Sequence, residues 1–350
     1  MTPTPVLGAQ PGDQGCGTLF SSARVVGTGS IGTRYLRALS TLIESRPLAV
    51  PVGGVLRNQE LAQFATLEQY SALARPKVDL CVIATDTIRH LEDASHFSDS
   101  TELLLIEKPL TYSAQVLKDS EWSRSKTKVA ISTPLRFMNG FGAVRAALET
   151  FGEVTGVSVE CRSWLPSWRP GTDFRQSYSA DPRQGGVLLD LIHEIDYCLQ
   201  LFGSPDKLSA NLSHYSPLGI SSESSAHLLW RYGNFDLQMV LDYVSRPPTR
   251  FIVIYGSEKT VKWDLLEASV TTWNHVLGGI EVVRFPDDLN TDTILTRQIR
   301  AFVESSGSPL VSSVAQAWQA LAMCDLAKES SRKLGAALNA REPLESVSAQ

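Results

Sequence analysis

The sequence predicts an α/β chain in which a doubly wound parallel sheet is followed by an α+β domain with a large, mostly antiparallel open sheet. Three observations predict it. Val25-Val26-Gly27-Thr28-Gly29-Ser30-Ile31-Gly32 runs from an apolar strand through G-x-G-x-x-G into a stretch of helical spacing. From Ala23 to about Ser132, strand-like apolar runs alternate with helix-like segments, the pattern of a parallel sheet covered on both faces. Past Ser132 the rhythm changes to helices followed by many short alternating segments, some separated by paired small turn residues.

Composition narrows the class. A chain of 350 residues has room for two cores, and 43% hydrophobic with 20% charged residues suits a soluble globular protein. The net charge of −5 and the lack of a basic run argue against nucleic acid or an anionic membrane as partner. No segment approaches the about 18 apolar residues of a membrane span. Met1 to Ser22 has neither a basic head nor a continuous apolar stretch, so it reads as a flexible leader and not a secretory signal. Cys16, Cys81, Cys161, Cys198 and Cys324 are scattered and form no C-x-x-C pair. Neither a metal site nor a disulfide framework is expected, and a reducing cytoplasm is.

The elements follow in order. Ala23 to Val26 reads as a short buried strand, and Ile31, Tyr35, Leu36, Leu39 and Leu42 repeat at helix spacing. Leu48 to Leu56 is the second strand, weakened by Pro51 and Gly53-Gly54. A short strand near Phe64 and a helix over Leu67 to Ala74 come next. Val78 to Ala84 is apolar enough for a strand buried on both faces. A helix over Leu91 to Phe97, a strand at Leu103 to Ile106, a helix over Ser113 to Ser125 and a strand at Lys128 to Ser132 complete this part. Helices are then expected over Gly142 to Thr150 and Gly186 to Phe202. Strands are expected near 208–215, 226–232, 235–243, 251–255, 260–263, 269–273 and 281–285, with Gly233-Asn234 and Gly278-Gly279 as turns. Thr291 to about Ala337 reads as helix, interrupted at Gly307-Ser308-Pro309. The expected organisation is a leader over 1–22, a nucleotide-binding domain over 23–132 and a second domain over 133–290. Helices over 291–340 pack back on the first sheet, and 341–350 is a frayed tail.

The glycine motif asks for a dinucleotide. Gly27 permits the tight turn, Gly29 lets the backbone approach a pyrophosphate, and Gly32 lets the helix pack close to the sheet. The amides of Ser30 and Ile31 then open toward the anion. After the second strand the carboxylate that selects NAD is missing, and Leu56-Arg57-Asn58 offers Arg57 to a 2′-phosphate instead. NADP is therefore the preferred cofactor, with NAD the alternative. Glu107-Lys108-Pro109 follows a buried strand, so Lys108 opens into the ligand crevice as a candidate acid/base. In Gly185-Gly186-Val187-Leu188-Leu189-Asp190-Leu191-Ile192-His193-Glu194-Ile195-Asp196, residues three apart put Asp190, His193 and Asp196 on one helical stripe. A histidine between carboxylates is an oriented acid/base. The segment from Trp164 to Tyr178 mixes aromatic faces and donors, with Trp168, Asp173, Arg175 and Tyr178 as candidate contacts to a polyhydroxylated ligand.

Together these residues resemble the Gfo/Idh/MocA family, the glucose-fructose oxidoreductases, inositol dehydrogenases and their relatives. The resemblance runs from Ala23 to about Ala337. It rests on Gly27, Gly29 and Gly32; Ile83-Ala84-Thr85 with His90; Glu107-Lys108-Pro109; Arg136-Phe137; Gly152-Glu153-Val154; and the Gly-Gly-x-x-x-Asp…His-x-x-Asp segment. It implies a Rossmann domain beside an open-sheet α/β domain through which members form dimers or tetramers. It implies that Lys108 and His193 assist proton transfer while a hydride moves to or from nicotinamide, with Asp190 orienting the substrate hydroxyl or the histidine. Thr85, His90, Glu107 and Lys108 would join the glycine loop and Arg57 at the cofactor, and Arg136 would join the substrate set. Many members space the first Asp and the His by four positions, whereas His193 follows Asp190 by three.

The expected activity is an NAD(P)-dependent oxidoreductase that interconverts a secondary alcohol and a ketone on a sugar, nucleotide-sugar or cyclic polyol. A redox-neutral enzyme that retains its cofactor, of glycosidase or epimerase type, and a non-catalytic NAD(P)-sensing scaffold are the alternatives.

Overall fold

The computed structural model describes residues 20–52, 61–71, 75–119, 127–304 and 307–341. Arg57, most of the leader, and the tail beyond Arg341 lie outside the described residues.

Among the described residues the N-terminal sheet has six parallel strands. In chain order these are β1 (Ala23–Val26), β2 (Leu48–Val50), β3 (Thr66–Leu67), β4 (Val78–Ile83), β5 (Thr101–Ile106) and β6 (Lys128–Ile131). The spatial order β3-β2-β1-β4-β5-β6 reverses direction between β1 and β4, which is where a doubly wound sheet opens its ligand crevice. The helices are α1 (Ser30–Ser40), α2 (Leu61–Phe64), α3 (His90–Ser98) and α4 (Ala114–Asp119). α1 buries Tyr35, Leu36 and Leu39 against the sheet, as its apolar spacing requires.

Two local expectations here are overturned. The second strand stops at Val50, before Pro51. The order predicted around Phe64 is inverted, with helix α2 ending at Phe64 and Thr66–Leu67 extended. Extension has a cause: Glu68 N donates to Ala49 O, and the Glu68 carboxylate takes both the Nε and Nη2 of the fully buried Arg24. That pairing neutralises a guanidinium inside the sheet and pulls the segment straight.

The chain then forms α5 (Asn139–Leu148), β7 (Val154–Trp164), α6 (Val187–Asp190) and α7 (Ile192–Phe202). Next come β8 (Lys207–Ser213), β9 (Ser225–Arg231), β10 (Asp236–Asp242), β11 (Val244–Gly256), β12 (Lys259–Asp264), β13 (Ser269–Asn274) and β14 (Ile280–Arg284). Helices α8 (Thr291–Glu304) and α9 (Val314–Arg332) and the short β15 (Leu338–Asn339) close the chain. The second sheet runs β14-β13-β12-β11-β7-β10-β9-β8-β15, antiparallel except where β7 and β10 pair in parallel. β7 is central in this sheet and was not among the expected strands, although Val157, Val159 and Cys161 are buried at alternate positions as a strand demands. The turn at Gly233-Asn234 is present, with Tyr232 N donating to Phe235 O across it.

α8 returns to the first sheet as expected. Its Leu295, Ile299 and Phe302 share a core with Val25, Tyr35 and Leu80. α9 packs against β8 and α7 of the second domain and also against α4 and β6 of the first, with Trp318 Nε1 donating to Ala114 O, and a Ser313–Gln316 capping box starts it.

Candidate active site

The carboxyl ends of β1, β4 and β5 lie side by side, about 5 Å between neighbours. They bring the glycine loop, Thr85 and Lys108 to one edge. A Cβ on Gly27 would sit 2.5 Å from Ala84 O, and one on Gly32 would sit 2.0 Å from Gly27 O. These two glycines let strand, loop and helix touch. Gly29 differs, since a Cβ there meets nothing within 4 Å, and the helix it starts has no side-chain cap. Space in front of uncapped amides fits a pyrophosphate. Gly32→Ala should therefore lower the melting temperature by several degrees, whereas Gly29→Ala should leave it unchanged and weaken NADH binding at least about tenfold. Thermal melts and a calorimetric titration would separate the two, and unchanged NADH affinity in Gly29→Ala would contradict this assignment.

Lys108 is half-buried, and its Nζ donates to the backbone oxygen of Asp190 at 2.7 Å. The neighbouring expectations change. The Glu107 carboxylate turns inward, away from the crevice. It accepts Tyr35 Oη at 2.7 Å and the Lys108 amide at 3.2 Å, in a buried network with Ser132 and Gln298. His90 is also buried, with Nδ1 and Nε2 each 2.9 Å from a carbonyl oxygen, of Pro109 and Thr85 respectively. Both residues brace the loops that carry Lys108 and Thr85 and do not present polar groups to a cofactor.

The predicted single helix over Gly186 to Phe202 is broken. Leu191, with φ −98° and ψ 25°, separates α6 from α7. A three-residue spacing no longer means one face, and the Asp190–His193–Asp196 stripe does not form. Asp190 ends α6, buried, and its Oδ2 accepts the Tyr243 hydroxyl at 2.6 Å. Asp196 faces elsewhere and binds Arg136 through two bonds of 2.6 and 2.8 Å, while Arg136 Nη1 donates to Gln316. Arg136 is thus consumed by a buried ion pair under the site and is not placed to contact a substrate.

His193 is half-buried, and its ring has no hydrogen-bond partner among the described residues. Among the described residues no carboxylate holds it. Burial, then the charges of Lys108 and Arg250, keep its pKa well below the ordinary histidine value. Arg250 reaches this spot from β11, on the inward register of Ile252 and Ile254, and pairs with the fully buried Glu194 at 2.6 Å.

In the aromatic segment, Tyr178 is half-buried, and desolvation with the Asp190 charge pushes its hydroxyl pKa up. Trp168 packs edge-on against Tyr243, centroids 5.3 Å apart. Asp173 and Arg175 are exposed, and the Asp173 carboxylate caps its own turn by accepting the Arg175 amide. They make no contact with the Lys108–Asp190–His193 group.

Tyr243 and Arg250 were missed by sequence reasoning. The signal for Tyr243 was present: Leu237, Met239, Leu241 and Tyr243 alternate toward the interior. No group of three metal-ligating side chains occurs among the described residues, and no described helix is long and apolar enough to cross a membrane.

Residues 141–262 match the model of the GFO/IDH/MocA C-terminal domain. Among curated relatives, the uncharacterized oxidoreductase YhhX of Escherichia coli is 28% identical over 142 residues, covering 39% of each chain. An uncharacterized oxidoreductase of Synechocystis sp. is 25% identical over 202 residues, covering 54% of this chain and 53% of that one. The chain thus spans about half or less of the curated relatives it matches. A levoglucosan dehydrogenase in complex with NADH and levoglucosan superposes with TM-score 0.76 at 16% identity, over 91% of this chain and 99% of that one. An Azotobacter vinelandii inositol dehydrogenase homolog complexed with NAD+ gives 0.75 at 15% identity, over 91% and 97%.

Proposed function

We propose that this chain, which carries a GFO/IDH/MocA C-terminal domain beside a doubly wound sheet, is an NAD(P)-dependent oxidoreductase. In this reading it interconverts a secondary alcohol and a ketone on a sugar, nucleotide-sugar or cyclic polyol. The observation that carries the reading is the meeting of Lys108 from β5 with the α6–α7 break that bears Asp190 and His193.

Gly27, Gly29, Ser30, Ile31 and Gly32 would hold the pyrophosphate, with Thr85 and Lys108 along the same edge. When bound, the nicotinamide supplies the hydride acceptor or donor. The chain's own residues handle the proton. The Lys108 ammonium is held by the Asp190 carbonyl oxygen, so it is suited to stabilise a developing alkoxide or to protonate it. His193 is neutral at physiological pH and unpartnered, so its ring is suited to take the hydroxyl proton during oxidation. Asp190 is held by Tyr243 and is suited to orient the substrate hydroxyl.

This assignment has a pH signature. A histidine with a lowered pKa stays neutral down through pH 6.5 and gains its proton only below that. Oxidation at low substrate should keep its rate from neutrality to pH 6.5 and lose it in more acid solution, and His193→Asn should remove that limb. An acid limb unchanged in His193→Asn would remove His193 from this role.

NADP is proposed ahead of NAD because Arg57 follows the second strand where a carboxylate would otherwise stand. The solved neighbours named above carry NADH or NAD+ in their descriptions, so the two are tested side by side. Calorimetric titration with NADPH and NADH comes first, then reduced-nicotinamide absorbance with a panel of polyols and sugars. Tighter NADPH binding supports Arg57 as the selector. Binding of neither cofactor sinks the oxidoreductase reading.

A homodimer or homotetramer through the open sheet face is part of the proposal. That face carries Leu229, Val240, Val253 and the exposed Tyr255, and grooves of about 760 and 360 Å3 cross it.

A further inference from the structure

α1 starts at the glycine loop, and its other end borders a groove that the cofactor reading does not use. This groove, of about 600 Å3, runs between α1 and α8. Arg37 stands on the α1 wall, and Asp292, Thr293, Thr296, Arg297 and Arg300 stand on the α8 wall. Thr293, Thr296, Arg297 and Arg300 follow the i, i+3, i+4, i+7 spacing of one helical face. Leu295, Ile299 and Phe302 are turned the other way, into the core. α1 is 11 residues long, so groove and glycine loop lie on the order of 15 Å apart along its axis.

Carboxylates are fewer than guanidinium groups here. Arg34 and Arg37 share Asp292, at 3.5 and 3.1 Å. Arg37 spends only its Nε on that contact. Arg297 is met by Asp288 at 2.8 Å and by Asp287 at 3.7 Å. Arg300 is half-buried and makes no hydrogen bond or ion pair among the described residues, and its Nε is buried without a partner. A guanidinium withdrawn from water calls for an acceptor, and the groove that Arg300 lines is where one can reach it.

We propose that the α1–α8 groove is a second ligand site, which takes a small polyanion carrying phosphate or carboxylate groups between Arg300 and Arg37. Guanidinium groups on opposite walls suit a molecule with two anionic ends, since each planar fork can take a pair of oxygens. The volume is in the range of small-molecule sites. This site stands apart from the oxidoreductase reading, because none of its residues belongs to the Lys108–Asp190–His193 group or to the glycine loop.

The test is a calorimetric titration of pyrophosphate and of citrate into the protein, with saturating NADH to fill the glycine loop and again without it. Wild type should bind at least one of them with a Kd of about 100 μM or below in about 50 mM KCl, weakening at least about tenfold in about 0.5 M KCl. Arg300→Gln should weaken binding at least about tenfold, as loss of a charged hydrogen bond does. Thr293→Glu brings a carboxylate into the groove and should abolish binding. It should also keep the fold, because an acidic residue suits the first turn of a helix and sits one turn before Arg297. Melting temperatures within about 3 °C of wild type verify both variants. A tighter response to pyrophosphate assigns phosphate, and a tighter response to citrate assigns carboxylate. No saturable binding with NADH present, or an affinity unchanged in either variant, overturns the site. Binding seen only without NADH puts the anion on the glycine loop and overturns it as well. If NADH itself does not bind, the oxidoreductase reading falls, and the titration without NADH, read through the same two variants, decides the groove.

Discussion

Lys108→Met should lower turnover by about 10²–10⁴-fold, the usual contribution of a positioned proton-transfer group, while NADH affinity stays close to that of wild type. The side chain is half-buried at the carboxyl end of β5, and its Nζ donates to the Asp190 carbonyl oxygen, its one hydrogen bond among the described residues. Methionine fills the same volume without an ammonium, so the loss falls on the proton and on charge stabilisation. Lys108→Arg is the companion variant. It keeps a positive charge but cannot release a proton near neutral pH, so its turnover should also collapse. Steady-state rates on the substrate that the panel identifies, together with calorimetric NADH affinities, read both variants. Turnover within tenfold of wild type in Lys108→Met would remove the catalytic assignment. Full activity in Lys108→Arg alone would reduce the residue to a fixed charge.

Asp196→Ala should be the most destabilising single change considered, costing about 3–5 kcal/mol, because it leaves a buried guanidinium without a counter-charge. Arg136 and Asp196 side chains are 2% and 8% exposed, and two bonds join them. The pair ties the turn after β6 to the middle of α7, the helix whose first turn carries His193. Replacing both partners with apolar residues, as in Arg136→Met/Asp196→Leu, should recover most of the loss, since neither charge then remains buried alone. Urea unfolding of the two variants reads the difference. A loss under about 1 kcal/mol for Asp196→Ala would mean that water reaches the guanidinium.

Much of the fold was legible in the residues. The glycine loop, the buried runs of β4 and β5, the change of rhythm after Ser132 and the α8–α9 break at Gly307-Ser308-Pro309 are all local patterns, written in adjacent positions. The misreadings arise where distant residues decide. Thr66–Leu67 is extended because Glu68 must reach Arg24, more than forty positions away in sequence. β7 sits between β11 and β10, partners far along the chain.

The candidate site divides in the same way. Lys108, His193 and Asp190 were legible as candidates because strand ends and short spacings mark them. Their environment was not, since a spacing of three implies a shared face only in an unbroken helix, and Leu191 breaks this one. Glu107, His90 and Arg136 have polar side chains that the sequence offers to a ligand. The interior claims them, because a buried polar group must find a partner.

What the sequence alone determined is therefore the class of fold, the position of the glycine loop, and the residue types available for proton transfer. Helical and strand periodicity and glycine chemistry act over a few neighbouring residues, so they are visible without a structure. Only the tertiary structure decided which polar groups are free. It spent Asp196 on Arg136 and Glu107 on Tyr35, gave Asp190 to Tyr243, and left the His193 ring without a hydrogen-bond partner among the described residues. Hydrogen-bond pairing inside a packed chain is settled by contacts across the sequence, and those exist only once the two sheets and their helices have come together.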